Sequence, residues 1–211
     1  WRTTVSPHGV LSLAGPGGGE SWQLWTRGAA RSTGEPLLVP REVQGAPGEV
    51  TVRSGGAVVE TLARRPGGIE QSWTLAAEPA GDGDLVVEVA TNARSAETIP
   101  GGGLRLTGEA GTLGYGLATW RDATGRSHSL QPEWRDGAIH LRVPGTWLRE
   151  AVYPAVLDPL ISPEFEVDLP VLLPVAAGWQ YAVAASATGF LVVNVKSDEG
   201  GQVVRVARVG L

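Results

Sequence analysis

Apolar and polar residues alternate with a period of two along much of this chain, and turn-forming residues interrupt the alternation every few positions. In Ile69-Glu70-Gln71-Ser72-Trp73-Thr74-Leu75, the residues Ile69, Trp73 and Leu75 share one side with Gln71 as the one polar member of that set, while Glu70, Ser72 and Thr74 take the other. Leu85, Val87 and Val89 alternate in the same way with Val86 and Glu88, as Ile139, Leu141 and Val143 do with His140 and Arg142. A strand sends successive side chains to opposite faces, so each run predicts a strand buried on one side. No segment sustains the 3.6-residue period of an amphipathic helix, and only Gly145 to Val152 could form a helical turn.

The punctuation agrees. The chain holds 30 Gly and 15 Pro among 211 residues, which argues against a coiled coil or helical bundle and suits short strands joined by many turns. Gly81-Asp82-Gly83-Asp84, Asp122-Ala123-Thr124-Gly125 and Asp136-Gly137 supply residues that tolerate positive φ, and Asp136-Gly137 lies between two alternating runs, the strongest local signal for a hairpin. Short apolar clusters also occupy residues 1–48, at Val10 to Leu13, Trp22 to Trp25 and Leu37 to Val39. The expected fold is all-β: an antiparallel β-sandwich over residues 1–162, its strands spaced at about 8 to 12 residues.

The chain changes character near Tyr153-Pro154-Ala155-Val156-Leu157-Asp158-Pro159-Leu160. Proline has no N–H to give a ladder, so this stretch is expected to run as an edge or exit segment that leaves the sandwich. Beyond it, Gln180 to Ala187, Phe190 to Val195 and Val203 to Val209 form three apolar strand-like runs. Residues 163–211 thus have the size of a single propeller-blade-like β-meander. Such a sheet cannot bury both faces alone and is expected to belong to a larger β array.

Charge and composition narrow the functional classes. The net charge is −5 and the single lysine is Lys196, so the basic footprint of a nucleic-acid partner is missing. No apolar run approaches the roughly 18 residues of a spanning helix. The absence of Cys removes disulfides, thiolate nucleophiles and Cys-ligated zinc. The absence of Met leads to the expectation that Trp1 follows material cleaved, trimmed or left out, a secretory leader being one ordinary cause. Arg outnumbering Lys, with abundant Gly, Ala and Val, resembles the coding habit of a GC-rich genome.

Candidate chemistry is sparse. His8, His128 and His140 are too scattered for a short-spaced metal motif, and no His-Glu-x-x-His helix exists. Ser127-His128-Ser129 follows Asp122, but the Gly-x-Ser-x-Gly elbow of a nucleophilic serine is missing. Asp82 with Asp84, and Asp198 with Glu199, could offer oxygens to calcium, yet both sets lie where hairpins want Asp and Gly. No catalytic residue, metal ligand or cofactor is therefore assigned. Eight tryptophans are many for this length; most are expected to fill the core, and Trp25, Trp120 and Trp179 are the candidates for stacking on a sugar ring. Trp25 is the best of them, because Trp22 and Leu24 share one strand face and Trp25 takes the other.

Four pieces in order carry a resemblance: Gly68-Ile69-Glu70-Gln71-Ser72-Trp73-Thr74-Leu75; Gly81-Asp82-Gly83-Asp84-Leu85-Val86-Val87-Glu88; Leu113-Gly114-Tyr115-Gly116 with Trp120-Arg121-Asp122-Ala123-Thr124-Gly125-Arg126; and Tyr153-Pro154 with Leu157-Asp158-Pro159-Leu160. Over roughly residues 20–162 the chain resembles a β-rich N-terminal domain of large secreted or surface bacterial proteins, common in myxobacteria, that precedes β-propeller repeats. Phe190-Leu191-Val192-Val193 and Ala207-Arg208-Val209 resemble strands of a first repeat. The family usually carries Trp where Asn194 stands, and Pro-Leu-Thr-Ile-Asp where this chain has Pro154-Ala155-Val156-Leu157-Asp158. The resemblance implies an extracellular or cell-surface structural or interaction module with no catalytic residues, partnered through residues 163–211 by further repeats or another chain. Two alternatives stay open: a carbohydrate-binding or glycoside-hydrolysing module working through surface Trp and carboxylates, and a pro-region or assembly partner of another polypeptide.

Overall fold

The computed structural model describes residues 2–15, 19–34, 36–37, 41–46, 48–54, 58–65, 67–163, 180–186, 189–198 and 201–210. The chain divides into two units, Trp1–Glu164 and Phe165–Leu211, two residues from the boundary expected at 162/163. The first unit is built from two antiparallel sheets. One has the strand order β1 (Arg2–Val5), β2 (Leu11–Ala14), β3 (Ser21–Arg31), β8 (Leu85–Thr91), β14 (Ala138–Val143), β13 (Glu133–Arg135). The other runs β4 (Arg41–Ala46), β5 (Glu49–Ser54), β6 (Val58–Arg65), β7 (Gly68–Leu75), β15 (Ala155–Pro163), β11 (Gly111–Arg121), β10 (Leu104–Gly108), β9 (Ser95–Thr98), with β12 (Ser127–Leu130) also paired to β11. A short helix, α1 (Gly145–Glu150), falls inside the stretch where a helical turn was expected.

The alternation read from the sequence is the burial pattern of the strands. Along β7 every second residue from Ile69 is buried, and β8 and β14 bury Leu85, Val87, Val89, Ile139, Leu141 and Val143. Both sheets feed one continuous core that also holds Trp22, Leu24, Trp73, Tyr115 and Trp120, so they face each other as a sandwich. The Asp136-Gly137 hairpin joins β13 to β14 through two residues at φ 51° and 74°, the paired positive φ values of a type I′ turn.

The expectation of an edge or exit strand after Pro154 is overturned. β15 is central, flanked by β7 on one side and β11 on the other. The reason lies in the ladder: β11 is bulged between Tyr115 and Ala118, and the β15 register to β7 stops at Leu157 and resumes at Leu160. Pro159 stands in that interruption, where a missing N–H costs no regular ladder bond. A second bulge, between Thr26 and Gly28, breaks β3 against β8.

The second unit, over its described residues, is an antiparallel meander of β16 (Gln180–Ser186), β17 (Gly189–Asp198) and β18 (Gly201–Gly210). Its three strands coincide with the three apolar runs read from the sequence.

Leu141 is fully enclosed at the centre of the first core. Leu141→Ala should lower the unfolding free energy of the first unit by about 2–5 kcal/mol, the cost of a core cavity, as read from urea denaturation. A loss below about 1 kcal/mol would mean that this strand is not packed between the sheets as described.

Candidate functional site

Polar residues collect in the middle of the sandwich. Thr26 on β3 points inward, in phase with Trp22 and Leu24, and reaches the opposite sheet. Its hydroxyl donates to Glu60 Oε1 on β6 at 2.8 Å and accepts from Trp73 Nε1 on β7 at 3.1 Å. Gln71 Nε2 donates to the same Glu60 oxygen at 2.8 Å, and the Tyr115 hydroxyl on β11 donates to Gln71 Oε1 at 3.2 Å. All five side chains are buried, Glu60 at 2% and Thr26 at 0% exposure. The donors converge on Glu60, the arrangement a carboxylate accepts best. Burial, and after it the Glu60 charge, hold the Tyr115 phenol well above its ordinary pKa.

This cluster was only partly visible in the sequence. Gln71 stood out as a polar residue among inward apolar ones, and Glu60 has the same phase between Val58 and Leu62. That signal could have found both. The groups satisfy one another and are closed to solvent, so their chemistry is that of joining two sheets.

Asp122, which opens the β11–β12 turn, is the other dense polar centre. Its Oδ1 accepts from the Thr124 hydroxyl at 2.6 Å and from the Thr124 and Arg126 amides at 3.0 and 3.1 Å. Its Oδ2 accepts from Arg126 Nε at 3.3 Å and from the Val152 amide at 3.4 Å. The carboxylate thereby ties the turn to the segment after α1. The Thr124 hydroxyl is the main cause that lowers its pKa from 3.8 to about 2; burial opposes it, and the Val152, Thr124 and Arg126 amides add to it. His128 does not join Asp122 in a triad. Its ring stacks on Trp147, centroids 4.2 Å apart and planes 19° from parallel.

The candidate stacking residues separate. Trp120 is 2% exposed, so the expectation that it could stack on a sugar ring is corrected: its ring fills the core. The physical reason is the β11 bulge, which resets the alternation so that Tyr115 and Trp120, of opposite parity, both point inward. Trp179 lies outside the described residues. Trp25 is half-buried on the outer face of its sheet, opposite to Trp22 and Leu24. Trp134 and Trp147 pack against the core from its margin.

At the two acidic turns, Asp84 Oδ1 accepts the Gly145 amide at 2.9 Å and Asp82 gives its own amide to the Thr33 hydroxyl at 2.8 Å; Glu199 lies outside the described residues. Among the described residues no three His, Asp or Glu side chains converge as a metal site. On the outer face of β15, burial raises the Asp158 pKa, Arg121 opposes the shift and Glu70 adds to it. An open groove of about 270 Å³ is lined by residues of β1, β2 and β4–β7, among them Val5, Leu11, Val50, Leu62 and Ile69 with Glu49 and Arg64. No helix among the described residues is long and apolar enough to cross a membrane. The chain matches no family model, no curated protein and no solved structure.

Asp122 sets an acid dependence whose sign follows from its lowered pKa. Its stabilisation is complete above the ordinary value of 3.8 and is lost as pH falls through about 2. The stability advantage of the wild type over Asp122→Asn should therefore be constant from neutral pH down to about pH 4 and shrink towards about pH 2, as followed by urea unfolding at stepped pH. A gap that stays constant through this acid range would show that the carboxylate charge is not what holds the turn.

Proposed function

We propose that this chain is a noncatalytic structural or interaction module of a secreted or cell-surface repeat protein, with residues 165–211 forming one unit of a larger β array. The observation that carries this reading is the composition of the β16–β18 meander. Register aligns Val183, Val192 and Ala207 in one row and Ala182, Val193 and Val206 in the next. Successive rows belong to opposite faces of a sheet, so both faces of this meander are assigned apolar residues. Polar residues are not gathered on one face, which would let three strands stand in water on that side: Asn194, Lys196 and Arg205 have the phase of the first row and Arg208 that of the second.

Three strands are also the minimum for an independent sheet, and that minimum assumes a packed face. The reading is supported further by the sequence likeness to domains that precede propeller repeats, and by a first unit whose densest polar clusters, around Glu60 and Asp122, are engaged in holding strands and turns. An extracellular setting fits the same likeness.

Expressing the two units separately tests the proposal. Residues 1–164 should fold cooperatively as a monomer, whereas residues 165–211 alone should aggregate, self-associate or remain unfolded when followed by sedimentation velocity and thermal melting. A short piece that is monomeric, soluble and cooperatively folded would overturn the reading of this unit as part of an array.

A further inference from the structure

We infer that the buried polar cluster is a self-processing site, at which the Thr26 hydroxyl displaces ammonia from the Gln71 side-chain amide and leaves an ester that fastens β3 to β7. The inference goes beyond the interaction module proposed above and stands whether or not the second unit joins an array. Gln71 Nε2 lies 3.4 Å from Thr26 Oγ1, so the hydroxyl oxygen stands against the amide whose carbon, Cδ, it would attack. Both residues are closed to solvent, Thr26 at 0% and Gln71 at 1% exposure. The orientation of the amide follows from its neighbours. An ionised Glu60 can only accept, so it takes the NH2 end at 2.8 Å, and the Tyr115 hydroxyl donates to Oε1 at 3.2 Å.

The remaining contacts supply the parts of an acyl transfer. Glu60 Oε1 accepts from the Thr26 hydroxyl and from Gln71 Nε2, both at 2.8 Å, so one carboxylate oxygen touches the proton that must leave and the nitrogen that must receive it. The Trp73 indole donates to Thr26 Oγ1 at 3.1 Å, which leaves the hydroxyl hydrogen directed at Glu60. As the bond from Thr26 Oγ1 to Gln71 Cδ forms, the hydroxyl proton passes to Glu60 and a carbonyl electron pair moves onto Gln71 Oε1. The Tyr115 hydroxyl, kept protonated by burial, holds that developing charge. When the carbonyl re-forms, the Cδ–Nε2 bond breaks, its electron pair leaves with nitrogen, and Glu60 returns the proton to release NH3. Thr26 has lost one hydrogen, Gln71 has lost its NH2, and Glu60 ends as it began, so the step needs no oxidant, reductant or co-reactant. Near-complete burial of the cluster keeps bulk water from competing with the hydroxyl and from hydrolysing the ester. The step acts once and on the chain itself, with no external substrate.

The full chain and its Thr26→Ser, Thr26→Val and Glu60→Gln variants are followed by intact-mass spectrometry during incubation at neutral pH under native conditions, and their tryptic digests are searched for joined peptides. The wild type and Thr26→Ser are expected to lose the mass of one ammonia. That loss should be located in a peptide pair linked between positions 26 and 71, and hydroxylamine, which cleaves esters and leaves amides intact, should open the pair. Thr26→Val, which has no nucleophile, and Glu60→Gln, which has no proton carrier, should keep the full sequence mass. The wild-type mass decides the matter even where a variant fails to fold. A folded wild type that retains its full mass throughout, an ammonia loss located away from positions 26 and 71, or a linked pair that persists in Thr26→Val or Glu60→Gln would overturn the proposal.

Discussion

The Thr26 hydroxyl joins the two halves of the sandwich. It donates a hydrogen bond to Glu60 and accepts one from the Trp73 indole, both on the facing sheet, with Thr26 and Trp73 at 0% exposure. An apolar core fixes how much surface is buried but constrains weakly how one sheet slides over another, because dispersion and hydrophobic burial have little direction. Hydrogen bonds in that interior are directional, and leaving one donor unmatched costs about 1–3 kcal/mol. The Thr26 contacts therefore select one alignment of β3 over β6 and β7, and Tyr115 extends the selection through Gln71 to β11.

Two bulges serve this arrangement. In β3, the irregularity between Thr26 and Gly28 lets Thr26 and Ala29 both face inward although their parities differ. In β11, the one between Tyr115 and Ala118 does the same for Tyr115 and Trp120, and Pro159, paired to Ala118 beside it, falls in the gap of the β15 register to β7. A bulge adds a residue to one strand and re-aims the side chains beyond it. Both of these bulged strands thus supply a member of the buried polar cluster.

These features mark the boundary of what could be read from the residues alone. β7, β8 and β14 were legible because an uninterrupted period of two needs only the local sequence, and the Asp136-Gly137 hairpin because its turn chemistry is local as well. The all-β class and the two-unit division arise from such local signals summed along the chain. Trp120 and Pro159 were misread for one common reason: a bulge is set by pairing with a distant strand and shifts parity without leaving a turn residue behind. Gln71 and Glu60 carried a visible sign, a polar residue in an apolar phase. Their partners could not be named, since Thr26 lies 34 residues from Glu60 and 47 from Trp73, and the sequence does not state which strands of two sheets will face each other. Trp25 was legible as the outward member of its cluster.

A double-mutant cycle between Thr26→Val and Trp73→Phe addresses the inter-sheet contact with least ambiguity, because each change removes one half of the same hydrogen bond and the cavity cost of shortening Trp73 is common to both arms of the cycle. Urea denaturation of the wild type, both single variants and the double variant gives the coupling energy. A coupling of about 0.5–1.5 kcal/mol or more, with both single variants destabilised, is the result expected for a bond formed across the buried interface. Additive effects, within about 0.3 kcal/mol, would contradict the account by showing that the Thr26–Trp73 bond does not couple the two sheets.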